Sequence, residues 1–366
     1  MRMFRPWSLT ATFVPIFLMA CFNCAFGICQ IPHETIPDGS KWADGWNGFC
    51  LPEQFPFYLL NFFLALLSCG CLQIACNLLN EWGDYRSGVD QLKTVGVAGQ
   101  QEGTASPREL VAGTVTPSQV FRMAMLILGI GVAAGGLLLY RCFSWTLLAV
   151  AVVGVLGTVN YTTGIRFKYR GYGLVCVFFL MGYLLLAAAD LCLGGSLLRE
   201  FSWMEFLKFL MWGLPTSCLV TCIMHANDMR DIEKDRMAGI RTPATIFGKR
   251  GALRIFTALH TVPYLSGIFL LCVGLHDAGP ESVWEWLWGG AFMILPWLLL
   301  LPFTVQTLRR AYREKTGDPS IVWSPLLGET ARIHFLSGLI LGLWVLAVGA
   351  YIWLFEICEV GKGAAG

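Results

Sequence analysis

The chain has 366 residues, of which 56% are hydrophobic and only 14% charged, with a mean hydropathy of +0.61. A soluble domain of this length would carry about a quarter charged residues, so the composition excludes a water-soluble globular enzyme and predicts an all-α, polytopic membrane protein. A formal net charge of +2 says nothing about nucleic acid, and no nucleic-acid partner is expected.

Roughly 20 apolar residues cross a bilayer. Nine such runs are predicted in chain order: residues 9–28, 55–80, 119–139, 143–160, 171–193, 205–226, 255–275, 284–303 and 333–355. The first follows Arg2 and Arg5 and contains Leu18-Met19-Ala20-Cys21, which resembles a lipoprotein cleavage site. Met19 fits that signal poorly, so the span is expected to be retained. Cys21-x-x-Cys24 has the spacing of a redox or metal pair, yet in an apolar helix two small hydrophobes are the simpler reading. An outer loop, residues 27–54, is broken by Pro32, Pro37 and Pro52, and its Cys29 and Cys50 are placed to pair if that side is oxidising.

Basic residues set the orientation. With the amino terminus inside, all Lys and Arg except Lys41, Arg141, Arg199, Lys208 and Lys362 fall on the cytoplasmic side. That bias predicts a multi-pass protein of the cell membrane with cytoplasmic site loops and an outer carboxy terminus, in contact with membrane lipid. One membrane domain over residues 1–366 is expected, as two helical halves (about 1–193 and 194–304) plus a ninth helix (333–355).

Two acidic, asparagine-led segments interrupt this pattern. NLLNEWGDYRSGVD (residues 77–90) ends the second span, and HANDMRDIEKDR (residues 225–236) ends the sixth. Asn80 and Asp84 stand four apart, as do Asn227, Asp231 and Asp235, which stacks each set on one helical face. Both segments leave the bilayer on the same side. Carboxylates at a membrane boundary are costly unless they bind something, and hard oxygen donors suit Mg²⁺ carrying phosphate. Asp84 with Asp90, and Asp231 with Asp235, are therefore expected to hold two Mg²⁺ ions across one diphosphate, with Glu81 and Asp228 as further ligands. The competing reading pairs these acids with Arg86, Arg230, Lys234 and Arg236 on solvated helix ends. It leaves the matched Asn-x-x-x-Asp spacing unexplained.

Departure of a diphosphate calls for cations, and Arg108, Arg166, Lys168 and Lys249 stand on the right side. Each also satisfies the positive-inside bias without touching a substrate. Tyr161, where the fourth span ends, is placed to donate to phosphate, although interfacial tyrosines are common. His225 stands where it would orient an acceptor hydroxyl, although a lone histidine more often fills a helix face.

NLLNEWGDYRSGVD and HANDMRDIEKDRMAGIRTPATIFG resemble the two aspartate-rich motifs of the UbiA superfamily of intramembrane prenyltransferases. The first motif departs from the usual pattern: Glu81 replaces an Asp, Gly88 holds an acidic slot, and Asp90 follows it. That ending is most similar to 1,4-dihydroxy-2-naphthoate polyprenyltransferases. RPWSLTATFVP, SPRELVAGTVTPSQV and YTTGIRFKYRGYG support the same branch, whereas Leu174 stands where it often has an acid. The resemblance implies nine helices around a central cavity and places Arg108, Tyr161 and Lys168 on the substrate. It implies Mg-dependent transfer of a prenyl group from polyprenyl diphosphate to 1,4-dihydroxy-2-naphthoate with decarboxylation, giving demethylmenaquinone. A 4-hydroxybenzoate prenyltransferase of the same fold is the nearest alternative. A transporter or lipid-binding scaffold is the distant one, since those place ionisable groups near the midplane.

Overall fold

The computed structural model describes residues 6–25, 55–88, 110, 113–193, 203–277, 283–313 and 323–363. These residues are helical apart from turns and one isolated bridge. After a 3₁₀ turn at Pro6–Leu9 come α1 (Thr10–Ala25), α2 (Phe55–Arg86), α3 (Pro117–Arg141), α4 (Trp145–Asn160) and α5 (Gly173–Cys192). The second part of the chain forms α6 (Trp203–Arg230), the short α7 (Ile232–Met237), α8 (Pro243–Asp277), α9 (Val283–Arg313) and α10 (Ser324–Gly363). Each predicted apolar run falls on one of these helices, and α7 is the addition. Among the described residues five helices are long and apolar enough to cross a membrane, within α2, α3, α5, α6 and α10. The apolar helices α1 and α4 are shorter, at 16 residues each.

Local chemistry explains the helix starts. Thr116 caps α3 by accepting from the Gln119 amide at 3.3 Å, while Gln119 Oε1 accepts from the Thr116 amide at 2.8 Å, a reciprocal box followed by Pro117. Ser144 accepts from the Leu147 amide at 3.0 Å and starts α4. Large apolar side chains such as Leu126, Ile130 and Val153 are exposed on the outside of the bundle, as expected for surface that faces lipid.

The two largest of four buried clusters dominate the interior. One draws on residues 16–193 together with Phe209, the other on residues 222–326. Helix α5 is not uniform: its middle, Phe178–Leu184, is a π-helix, and Leu180, Met181 and Leu184 from it face the cavity described below. Opposite it, Gly182 lets α6 approach so closely that a Cβ there would lie 2.0 Å from Ser217 Oγ.

Helices α1 and α10 run in parallel and touch through small residues. A Cβ at Gly338 would meet Val14 Cγ1 at 2.5 Å, and one at Gly342 would meet Phe17 Cε1 at 2.7 Å. Val14 is β-branched and stiff at χ1, so it yields poorly. Gly338→Leu is therefore expected to cost about 1–3 kcal/mol by overpacking, measured as an earlier unfolding midpoint in detergent; an unchanged midpoint would contradict this packing. Cys21 is buried in the same interface, 3.1 Å from a Cβ at Gly342, and neither it nor Cys24 is disulfide-bonded, in keeping with packing rather than redox use. Cys29 and Cys50 lie outside the described residues.

Candidate functional site

A cavity of about 520 Å³ opens between α1 to α6. Its walls are apolar, with Ala65, Leu72, Leu139, Val155 and Leu184 among them, and its polar mouth carries Ser8, Gln73, Asn77, Asn80, Tyr161 and Asn227. Asn80 and Asn227 come from the two acidic segments, so both segments converge on one chamber. At the other end of α2, Arg141 ties α3 to it by donating to Asn61 Oδ1 at 2.7 Å and lying over the Phe57 ring at 4.2 Å.

The first acidic segment stays on α2. Asp84, one turn beyond Asn80, is fully buried, and the charge it carries is balanced from a distant loop. Lys168 Nζ donates to Asp84 Oδ2 at 2.8 Å, to Asp84 Oδ1 at 3.1 Å and to Asn80 Oδ1 at 2.8 Å. Tyr169 also donates its hydroxyl to Asp84 Oδ1. The loop that delivers both residues is tightly specified. Gly164 adopts φ +52°, and a Cβ there would lie 2.3 Å from Asn160 Oδ1, which itself accepts from the Ile165 amide at 3.2 Å. A 3₁₀ turn at Phe167–Tyr169 then folds back, with the Lys168 amide donating to the Tyr161 carbonyl at 3.0 Å.

The second segment is broken where the sequence reading made it continuous. Helix α6 ends at Arg230, and Asp231 (φ −95°, ψ 10°) is the turn residue that starts α7. The four-residue rhythm survives because the Asp231 amide donates to the Asn227 carbonyl at 3.0 Å and the Asp235 amide to the Asp231 carbonyl at 2.8 Å. Arg230 binds both Asp231 oxygens, at 3.0 and 2.6 Å, and Asn227 Oδ1 at 2.7 Å. Here a neighbouring base does hold the acid, as the competing reading had it. Arg86 and Arg236 do otherwise: Arg86 lies over the Trp82 ring at 5.2 Å, and Arg236 reaches Glu233 at 3.4 Å. The two loops meet behind the site, where Arg170 and Arg241 form a parallel bridge.

Glu81, Asp228 and Asp235 are buried as well. Among the described residues no three His, Cys, Asp or Glu side chains gather into one metal-holding group. The donors instead form two sets, each with a carboxylate and an asparagine carbonyl. That fits Mg²⁺, which takes one or two carboxylates and completes its shell with water and phosphate oxygens.

The remaining expected residues fall variously. Tyr161 is buried at the cavity mouth. His225 is not at the cavity: it is fully buried and its Nε2–H donates to the Ala252 carbonyl at 2.9 Å, tying α6 to α8. Lys249 lies 3.9 Å from Glu233 on the surface, past the kink at Gly248 (φ +67°). Asp90 and Arg108 lie outside the described residues. Tyr169 was not singled out from sequence, and its only signal was its place beside Lys168.

Helices enclosing an apolar chamber, with asparagines from both acidic segments in its wall, define the class of an intramembrane helical protein with a polar-mouthed apolar cavity. Residues 45–315 match the UbiA prenyltransferase family, and the chain belongs to it. The 1,4-dihydroxy-2-naphthoate octaprenyltransferase of Bacillus subtilis is 27% identical over 349 residues, covering 93% of this chain and 90% of that one. The enzyme of the same description from Escherichia coli is 28% identical over 302 residues, covering 79% and 84%. A UbiA homolog from Archaeoglobus fulgidus, bound to DMAPP and Mg²⁺, has the same fold at a TM-score of 0.54 and 16% identity, covering 95% of this chain and 98% of that one.

Proposed function

We propose that this protein transfers a polyprenyl group from polyprenyl diphosphate to 1,4-dihydroxy-2-naphthoate, with loss of carbon dioxide. The observation that carries the reading is that Asn80 and Asn227, each four residues before the aspartate of its own segment, line one apolar cavity. The cavity suits an isoprenoid tail, and the oxygen-rich mouth suits a metal-bound diphosphate. The names of the Bacillus subtilis and Escherichia coli relatives supply the acceptor.

Asp84 and Asn80, with Glu81 and Asp90 nearby in the chain, would hold one Mg²⁺; Asp231 and Asn227, with Asp228 and Asp235, would hold a second. Bound there, the metal supplies charge neutralisation to the departing diphosphate. The chain's own residues do the rest. Lys168, Tyr161 and Arg230, which stand beside the two asparagines, would meet the head group and favour departure of the diphosphate with the electron pair of the allylic C–O bond. The apolar walls exclude water from the resulting allylic cation, which the acceptor's carboxylate-bearing ring carbon then attacks. Carbon dioxide leaves, its bonding electrons return to the ring, and the product is demethylmenaquinone in its reduced form. The cytoplasmic placement of the mouth and amino terminus follows from the basic-residue bias.

The test is prenyl transfer by membranes containing the protein, with 1,4-dihydroxy-2-naphthoate and 4-hydroxybenzoate offered in turn. Transfer to the naphthoate, abolished by EDTA and restored by Mg²⁺, is expected. Transfer to the benzoate alone would overturn the acceptor assignment.

A further inference from the structure

Lys168 occupies the same oxygens that the proposed function assigns to a metal ion. Its Nζ lies 2.8 Å from Asn80 Oδ1 and 2.8 and 3.1 Å from the two Asp84 oxygens, with Asp84 fully buried and the lysine side chain 13% exposed. An Mg²⁺ ion needs those oxygens at about 2.0–2.1 Å. Ammonium and metal cannot share them, since both bind the same lone pairs and repel each other. We propose that Lys168 is a built-in place-holder for the cation at the first acidic segment, released only when metal and diphosphate arrive together.

Physical necessity supports the arrangement. A buried carboxylate stripped of its counterion is strongly destabilising, so without metal the fold supplies a cation to Asp84. An ion that arrives alone must displace Lys168 from three oxygens at once. A diphosphate changes that balance by offering the displaced lysine anionic oxygens within reach of its flexible stem. Lys168 is fitted for the exchange because it comes from a loop 84 residues further along the chain, not from α2. Tyr169 donates to Asp84 from the same turn and Arg170 bridges to Arg241, so the release is mechanically joined to the segment that follows α7. Arg230 holds the oxygens of Asp231 and Asn227 from the adjacent turn, whereas Lys168 reaches the first set from across the fold.

The inference rests on the metal-site reading above and is tested by binding rather than turnover. Mn²⁺ binding to the purified full chain is followed by electron paramagnetic resonance, with and without inorganic diphosphate. Wild-type protein is expected to bind Mn²⁺ about tenfold more tightly when diphosphate is present, after correction for the Mn²⁺–diphosphate complex in solution. Lys168→Met is expected to bind Mn²⁺ alone about tenfold more tightly than wild type and to lose most of that coupling. Equal or weaker binding of Mn²⁺ alone by Lys168→Met overturns the place-holder. So does a wild-type affinity indifferent to diphosphate, a result that does not depend on the variant folding. Asp84→Asn with Asp231→Asn separates the two claims: loss of Mn²⁺ binding in that double variant upholds the metal site even where the place-holder fails, and retained binding overturns both.

Discussion

Asp84→Ala and Asp231→Ala are each expected to lower prenyl transfer by about two to three orders of magnitude, the scale on which removing one preorganised charged or hydrogen-bonding group from a transition state is felt. Asp84 is the more demanding case because it is fully buried and holds Lys168 and Tyr169. Alanine there also leaves an ammonium without its partner, so part of any loss would be structural. Asp84→Asn resolves this: it keeps the shape and an acceptor for Lys168 while removing the negative charge. The expected result is a protein that elutes and unfolds like wild type in detergent yet transfers prenyl groups at a rate near that of the alanine variant. Near-normal rates in Asp84→Asn and Asp231→Ala with Mg²⁺ present would contradict the assignment of these oxygens to the diphosphate head.

The two acidic segments were legible because their signal is periodic. Asn80 and Asp84 fall four residues apart at the end of an apolar run, and helix geometry alone puts them on one face. The same logic misjudged the second segment, where the chain turns at Asp231; no breaker residue announces that turn, and the backbone hydrogen bonds preserve the spacing through it. What periodicity does not encode is contact across the fold. Lys168 and Tyr169 reach Asp84 only because Gly164 and the 3₁₀ turn fold the loop back over α2, and nothing in the local pattern names Asp84 as their target. His225 shows the opposite failure. Its neighbourhood to Asn227 in sequence made it a site residue, but on a helix two positions is slightly more than half a turn, and its side chain faces α8 instead. Lys249 was placed by charge bias alone, which fixes the side of the membrane and not the partner.

The fate of the acceptor's carboxyl group tests the central claim most directly, and the expected effect is all or none. Attack by the ring carbon that bears the carboxylate makes decarboxylation obligatory, because only loss of carbon dioxide restores the aromatic ring. A 4-hydroxybenzoate prenyltransferase alkylates a neighbouring carbon and restores aromaticity by losing a proton, so its carboxylate stays. The measurement is a single incubation of purified protein, Mg²⁺ and a polyprenyl diphosphate with carboxyl-labelled 1,4-dihydroxy-2-naphthoate or carboxyl-labelled 4-hydroxybenzoate. Release of labelled carbon dioxide from the naphthoate in step with formation of the prenylated ring is the predicted result, and label retained on a prenylated benzoate, with the naphthoate untouched, would contradict it.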